Sequence, residues 1–175
     1  MTHYVIIGSG IAGLSAAKAI RKNDTEGKIT MLTKEQVAPY YRTKLTKAIS
    51  SGETKEQLLV EKEGFYEENN IELRLSTAVD KVDYKNNKVL LENGEEVAYD
   101  KLLIASGASP FVPPFESENQ QNIFKMRTIE DLEALRRALP EIKTALVVGG
   151  GLLGLEAAQA LHEKGVEVHI VEFAD

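Results

Sequence analysis

The sequence contains no cysteine among its 175 residues. Disulfides, thiolate metal sites, iron–sulfur ligation, thiol nucleophiles and redox dithiols are therefore excluded within this chain. Any redox chemistry would have to be carried by a bound group. The three histidines, His3, His162 and His169, are scattered without the spacing of metal ligands, so we expect no metal site.

Long apolar runs and an excess of positive charge are also missing. No stretch approaches the ~20 consecutive apolar residues of a membrane-spanning helix, and the N-terminus lacks the basic start of a secretion signal. Asp and Glu number 27 against 21 Lys and Arg, and the resulting net charge of -6 repels phosphate backbones and anionic lipid heads. We therefore expect a cytoplasmic protein that binds neither nucleic acid nor membranes.

Glycine is concentrated in two short windows, which hold seven of the 13 glycines. Each window follows a short apolar run, opens a stretch of helix-forming residues and is followed by a second β-rich run. The pattern predicts the order strand, glycine turn, helix, strand, which begins a right-handed βαβ unit, and it occurs twice. The runs are residues 4–7, 14–21 and 28–32 in the first copy and 145–148, 155–164 and 166–171 in the second.

The segment between the two copies has a different pattern. Residues 56–69 are predicted to be helical, and four short β-branched runs follow at 71–75, 78–84, 88–92 and 96–99. Asn86-Asn87 and Asn93-Gly94 lie between runs and are typical of hairpin turns.

The apolar run 101–105 predicts a strand buried on both faces, ended by Ser106-Gly107. Pro110, Pro113 and Pro114 with the polar stretch 116–122 predict a connector, and 129–139 predicts a helix that leads into the second copy.

These patterns predict an α/β fold. A Rossmann-type parallel sheet would carry an antiparallel meander as its crossover, followed by the truncated start of a second Rossmann unit. The predicted domain limits are 1–111, 112–144 for the connector and lead-in helix, and 145–175 for the second βαβ unit. Because parallel sheets are normally covered on both faces, we expect that missing C-terminal segments or a partner chain are needed to complete it.

The first window, Gly8-Ser9-Gly10-Ile11-Ala12-Gly13, has the spacing GxGxxG. In dinucleotide-binding turns the first glycine makes the bend, the second lets the backbone approach a pyrophosphate, and the third lets the helix pack on the strand. The free amides at the helix start, here those of Ile11 and Ala12, then face the anion. A tight turn with a structural role only is the alternative, and the correct flanking strand and helix favour the dinucleotide.

The second window repeats this spacing, and an acidic residue follows it at the end of the next strand. Glu172 lies 18 residues beyond Gly154, where a carboxylate binds the ribose hydroxyls of NAD and repels the 2′-phosphate of NADP. A solvated acid at a strand end is the alternative. In the first copy the same register holds Thr33, and Glu35 two residues later is the candidate ribose ligand. The predicted cofactor contacts in the second window are Gly149, Gly151, Leu152, Leu153 and Gly154.

Five segments in this order resemble FAD- and NAD-dependent pyridine nucleotide oxidoreductases, the pyridine nucleotide-disulfide oxidoreductase superfamily. The resemblance is greatest to NADH:rubredoxin reductases, with the flavin module of assimilatory nitrite reductases next. It covers nearly the whole chain. The segments are GSGIAGLSAA at 8–17, PYYRTKLTKAI at 39–49, YDKLLIASGASP at 99–110, FKMRTIEDLEAL at 124–135 and ALVVGGGLLGLEAAQAL at 145–161.

The resemblance implies that 1–111 is part of an FAD-binding domain and that 145–175 begins an NAD-binding domain. It implies FAD at Gly8, Gly10 and Gly13, with the backbone near Val79 facing the adenine. Three consecutive residues, Ala105, Ser106 and Gly107, would line the cofactor.

The resemblance also implies residues beside the flavin ring. Arg42 and Lys47 match basic residues there, where a cation would stabilise the anionic reduced flavin. Glu156 matches a glutamate that commonly pairs with that lysine, so Lys47 and Glu156 are the predicted catalytic residues and are expected within salt-bridge distance. From the residues alone, a solvated basic loop and a solvated helix face remain the alternatives. Lys34 stands where relatives often carry an acid, a departure that bears on the first ribose contact.

The implied activity is hydride transfer from NADH to FAD, followed by electron delivery to a small redox protein such as rubredoxin. Two other hypotheses remain: a flavin module of a nitrite reductase, and a nucleotide-binding module without activity of its own. Because the chain lacks cysteine, we expect that electrons do not leave through an enzyme dithiol.

Overall fold

The computed structural model describes residues 1–112 and 122–173. The chain divides into two compact units: the first comprises Met1–Tyr40 and Leu59–Ala108, the second Tyr41–Leu58 and Ser109–Asp175. Residues 113–121 of the predicted connector lie outside the described residues. The domain limits predicted at 111 and 144 stay a prediction.

Each glycine window lies between a strand and a helix and is followed by a second strand, as predicted. The helices and strands are β1 (His3–Ile7), α1 (Ile11–Asn23), β2 (Lys28–Leu32), α2 (Leu45–Ser51), α3 (Lys55–Leu58), α4 (Phe65–Glu68), β3 (Ile71–Arg74), β4 (Val79–Asp83), β5 (Lys88–Leu91), β6 (Glu96–Ala98), β7 (Lys101–Ile104), α5 (Ile129–Ala138), β8 (Thr144–Val148), α6 (Leu152–Glu163) and β9 (Glu167–Val171).

The first unit contains a four-stranded parallel sheet with the strand order β3-β2-β1-β7. The α/β fold is therefore as predicted, with α1 as the crossover between β1 and β2. Successive residues of β1 face opposite sides of the sheet, and Val5 and Ile6 are both fully buried. Ile6 packs with Leu14 and Ala17 of α1, whereas Val5 packs with Val89 and Leu91 of β5 and Val97 of β6.

The antiparallel meander consists of β4, β5 and β6, in that order. Both hairpin turns are confirmed. Asn87 has φ 52° and Gly94 has φ 86°, the left-handed conformation that such turns favour, and Asp83 accepts hydrogen bonds from the amides of Lys85 and Asn86. The first of the four β-branched runs, however, joins the parallel sheet as β3.

Two predictions for this segment are wrong. The helix expected over 56–69 is two single turns, α3 and α4, because Tyr40 bridges to Leu59 and the Val60 amide donates to the Pro39 carbonyl (2.9 Å), which holds the chain extended between them. The strand expected to be buried on both faces, β7, lies at the edge of the sheet, and Ile104 is 62% exposed.

The second unit combines α2, α3, α5 and α6 with the parallel pair β8 and β9. Helix α5 begins at a capping box: the Thr128 hydroxyl accepts from the Asp131 amide (3.2 Å), and the Asp131 carboxylate accepts from the Thr128 amide (2.9 Å). The Arg136 guanidinium donates to the carbonyls of Ala48 and Glu53, which ties α5 to the end of α2. Apolar residues of the two-stranded sheet are exposed, for example Leu146 at 61%.

The part of the chain that the structure describes contains no helix of the length and hydrophobicity needed to cross a membrane.

We expect Gly13→Ala to destabilise the protein by about 3 kcal/mol, because a Cβ at Gly13 would lie 2.1 Å from the Gly8 carbonyl oxygen and the backbone would have to move apart. Urea unfolding followed by far-ultraviolet circular dichroism measures the change. The matched control is Gly10→Ala: a Cβ there has no atom of the described part of the chain within 4 Å, and we expect a loss below about 1 kcal/mol. Equal losses in the two variants would contradict this assignment.

Candidate functional site

Two glycines of the first turn, Gly8 and Gly13, have no room for a side chain in this fold. Gly8 has φ +102°, and a Cβ there would lie 2.2 Å from the Ala105 carbonyl oxygen. Its amide donates to the Leu32 carbonyl (2.8 Å), which joins the turn to the end of β2. Gly13 lies over the Gly8 carbonyl and allows α1 to approach β1. The bend and the close packing both follow from backbone contacts within the chain.

Gly10 differs from these two glycines because the fold does not require it. Its φ of −65° is accessible to any residue, and a Cβ at this position would meet no atom of residues 1–112 or 122–173 within 4 Å. The open space lies at the start of α1, where the amides of the first turn have no carbonyl partner inside the helix. Ile11 is 47% exposed beside it. A glycine in open space at this place fits a ligand that approaches the backbone closely.

The second glycine turn repeats the bend and the helix–strand approach of the first. Gly149 has φ +112° and its amide donates to the Val171 carbonyl (2.8 Å), while a Cβ at Gly154 would lie 2.0 Å from the Gly149 carbonyl oxygen. Gly151, like Gly10, has open space around its Cβ position. The side chains of Leu152 and Leu153 are exposed at the start of α6. The two copies predicted from the sequence therefore share the backbone bend, the bond to the next strand and the close approach of the helix.

The strand-end acids of the two copies lie in different surroundings. Glu172 is next to its turn, because one carboxylate oxygen accepts from the Gly150 amide (2.7 Å). Thr33 takes the corresponding place in the first copy and accepts from the Glu35 amide (3.3 Å). The Glu35 carboxylate accepts from the hydroxyl of Tyr40 (2.6 Å), whose side chain is only 3% exposed. Glu172 therefore contacts the second glycine turn directly, whereas Glu35 is bonded to Tyr40, a contact that the sequence did not suggest.

The segment after β7 contacts the first turn. The Ala105 amide donates to the Ile7 carbonyl (2.7 Å), and the Ala105 carbonyl lies against Gly8. Gly107 has φ 72°, so the chain bends within three residues of the strand end. The predicted lining segment, Ala105 to Gly107, therefore begins directly at the turn.

A cavity of about 330 Å³ lies beside the predicted adenine contact. One of its lining residues, Ala78, directly precedes Val79, the first residue of β4. The lining residues combine backbone and small polar side chains with one leucine: Ser76, Thr77, Ala78, Leu91, Glu92 and Asn93.

None of the ion pairs between described residues joins Lys47 to Glu156, and the predicted catalytic roles of the two residues stay a prediction. The Thr46 hydroxyl donates to Glu156 Oε2 instead (2.8 Å). Successive residues of a helix point about 100° apart. On α2 this turns Thr46 into the protein, where it is 3% exposed, and leaves Lys47 exposed to solvent.

Lys47 acts electrostatically on a different carboxylate of α6. The pKa of Glu163 is lowered first by a hydrogen bond from Ser50, then by one from Gln159, and further by the positive charges of Lys164 and Lys47. Arg42 is fixed at a different place, since its guanidinium donates to the Arg127 carbonyl (2.9 Å). The sequence analysis did not identify Thr46 as a site residue. A signal is present, because Thr46 is the polar residue among the residues that α2 buries.

The described residues contain no group of three or more His, Asp or Glu side chains arranged to hold a metal ion.

Comparison with known proteins gives consistent matches. The pyridine nucleotide-disulphide oxidoreductase family matches residues 2–175. Rubredoxin-NAD(+) reductase of Pseudomonas putida is 39% identical over 171 residues, which cover 97% of this chain and 44% of that protein. The nitrite reductase (NADH) large subunit of Escherichia coli is 37% identical over 171 residues, 97% of this chain and 20% of that protein.

Among solved structures, the crystal structure of NADH:rubredoxin oxidoreductase from Clostridium acetobutylicum matches with a TM-score of 0.87 and 33% identity, covering 99% of this chain and 45% of that one. The chain thus spans less than half the length of these relatives. The resemblance read from the five sequence segments is confirmed, and the chain belongs to the pyridine nucleotide-disulphide oxidoreductase family.

Proposed function

We propose that this chain binds FAD at its first glycine turn and NAD at its second, as part of an NADH-dependent flavoprotein oxidoreductase. The observation that carries the proposal is the open space around Gly10 and Gly151, which no contact among the described residues explains. In each turn the first and last glycines are needed for the bend and for the helix–strand approach. The middle glycine, Gly10 or Gly151, allows a ligand to approach the backbone. A pyrophosphate placed there meets backbone amides and the positive end of a helix.

FAD is assigned to the first turn because only that copy is followed by the predicted flavin segments. Ala105 to Gly107 begins at the Gly8 bend, and the cavity next to Val79 offers space for an adenine. Glu35 is the candidate ribose ligand, held by Tyr40. Arg42 and Lys47 are the candidate cations for the reduced flavin, on the strength of the sequence match.

We expect Gly10→Val in the full-length protein to abolish flavin retention, because its side chain would fill the space where the pyrophosphate meets the backbone. Flavin absorbance of the purified protein measures occupancy, and circular dichroism checks that the variant is folded. The matched variant is Gly151→Val, which should retain flavin and lose NAD binding. If Gly10→Val keeps flavin at wild-type occupancy, the assignment of FAD to this turn fails.

Glu172 is proposed to select NADH over NADPH. Its carboxylate lies at the second turn, fixed by the Gly150 and Phe173 amides (both 2.7 Å). That position lets it accept hydrogen bonds from ribose hydroxyls and places a like charge against a 2′-phosphate.

Glu172→Ala should narrow the preference for NADH over NADPH by about 10-fold or more, since like charges at contact cost several kcal/mol. The measurement is the ratio of kcat/KM values for the two nucleotides in the full-length protein. Glu167→Ala, an exposed acid on β9 that pairs with His169, serves as the control and should leave the ratio unchanged. A wild-type protein that uses both nucleotides equally would count against this role.

The electron acceptor is proposed to be a small one-electron redox protein such as rubredoxin. Two of the matched proteins carry rubredoxin in their names, and the chain has no cysteine for disulfide exchange. A bound flavin can take two electrons as hydride and release them singly. The protein's part is to bind the two cofactors in a fixed mutual orientation.

The full-length protein should reduce rubredoxin with NADH and should be inactive with glutathione disulfide or coenzyme A disulfide. Rapid turnover of a disulfide without reduction of rubredoxin would overturn the acceptor and leave the cofactor assignments standing. NADH-dependent reduction of nitrite would instead favour the flavin module of a nitrite reductase, the second candidate, which the 37% identity to the Escherichia coli large subunit supports.

A further inference from the structure

We propose that Thr46 is a positioning residue whose buried hydroxyl fixes the Glu156 carboxylate for the pyridine nucleotide. The inference rests on the proposed function and on the sequence match that implies a catalytic role for Glu156, which is taken to act in the NADH site. Thr46 acts on the nucleotide only through Glu156.

The contact that supports the inference lies within the second unit, between α2 and α6. Thr46 Oγ1 donates to Glu156 Oε2 at 2.8 Å, a normal length for a hydrogen bond to a carboxylate. Thr46 is 3% exposed, so water does not compete freely for its hydroxyl. Glu156 is half-buried, one turn beyond the start of α6.

A hydroxyl at this buried position needs an explanation, because valine has the same shape and would bury without a polar group. An unbonded hydroxyl in an apolar setting costs free energy, and this one is bonded to Glu156. The other residues that α2 buries beside it are apolar, namely Leu45, Ala48 and Ile49. The Thr46 hydroxyl on this buried face is therefore accounted for by its hydrogen bond to the Glu156 carboxylate.

The hydrogen bond has two consequences for Glu156. It holds Oε2 at one place and leaves Oε1 to accept a further donor, since the described residues provide no second hydrogen bond to this carboxylate. A carboxylate that is fixed through one oxygen, with the other oxygen unused, is suited to orient a bound ligand.

Lys47 does not perform this task in the structure. It is exposed, and its charge acts on Glu163, one of the last residues of α6. Thr46 and Lys47 are adjacent on α2, and of the two only the Thr46 side chain makes a hydrogen bond to Glu156 among the described residues. The residue that fixes Glu156 is Thr46.

The test uses Thr46→Val, Thr46→Ser and Glu156→Gln in the full-length flavin-loaded protein. Rapid mixing with saturating NADH gives the rate of flavin reduction. We expect Thr46→Val to lower this rate about 10-fold, the factor that corresponds to loss of one charged hydrogen bond. Thr46→Ser, which keeps the hydroxyl, should restore the rate to within about 2-fold of wild type.

Ser50→Ala is the matched control, because this hydroxyl also lies on α2 but donates to the Lys47 carbonyl (3.3 Å). It should leave the rate unchanged. A readout independent of activity is the urea unfolding of wild type, Thr46→Val, Glu156→Gln and the double variant. Coupling between the two single changes of about 5- to 10-fold in the unfolding equilibrium constant supports the contact, and additive effects overturn it.

The outcomes separate this inference from the proposed function. If Glu156→Gln slows flavin reduction and Thr46→Val does not, the positioning role of Thr46 is overturned while the role of Glu156 stands. If Glu156→Gln reacts at the wild-type rate in a protein that holds flavin, Glu156 and Thr46 both lose their roles. A wild-type protein without flavin or without reactivity toward NADH would refute the proposed function itself, and the Thr46 inference with it.

Discussion

The approach of a helix to a strand across a pair of glycines is the constraint on which both units depend. In each turn a backbone carbonyl lies where the last glycine would otherwise carry a Cβ, at 2.1 Å for Gly13 and 2.0 Å for Gly154. Any side chain there would separate the helix from the sheet. The same approach directs the amides at the start of the helix toward the carboxyl end of the strand. The middle glycine can then lie in open space without a packing role.

The two turns share this geometry and differ in what surrounds them. The second turn has its acid in place, with Glu172 bonded to the Gly150 amide. The first turn has Thr33 at that register, Glu35 further along bonded to Tyr40, and the Ala105 carbonyl packed against Gly8. A common scaffold thus carries two sets of neighbours, which fits two different nucleotides better than two copies of one.

The sequence predicted the parts of the fold that local chemistry decides. The strands flanking each glycine window were placed to within one residue, because an apolar run ended by glycine has few alternative structures. The hairpin turns at Asn87 and Gly94 followed from residues that tolerate a positive φ. The exposure of Ile104 and the break in 56–69 depend on which strands pair, and a single run of sequence does not contain that information. The resemblance implies Lys47 as the partner of Glu156, whereas in the structure Thr46, one residue away, makes the hydrogen bond. The rotation of α2 about its axis is decided by packing, which the sequence of the helix does not contain.

We propose that the open space at Gly10 accommodates a pyrophosphate. The most direct measurement is a crystal structure of the full-length protein with FAD bound. A pyrophosphate oxygen should lie in van der Waals contact with the Gly10 Cα, at about 3.5–4 Å, with the first amides of α1 facing it. Bound FAD whose pyrophosphate lies elsewhere, with the space at Gly10 still empty, would contradict the account.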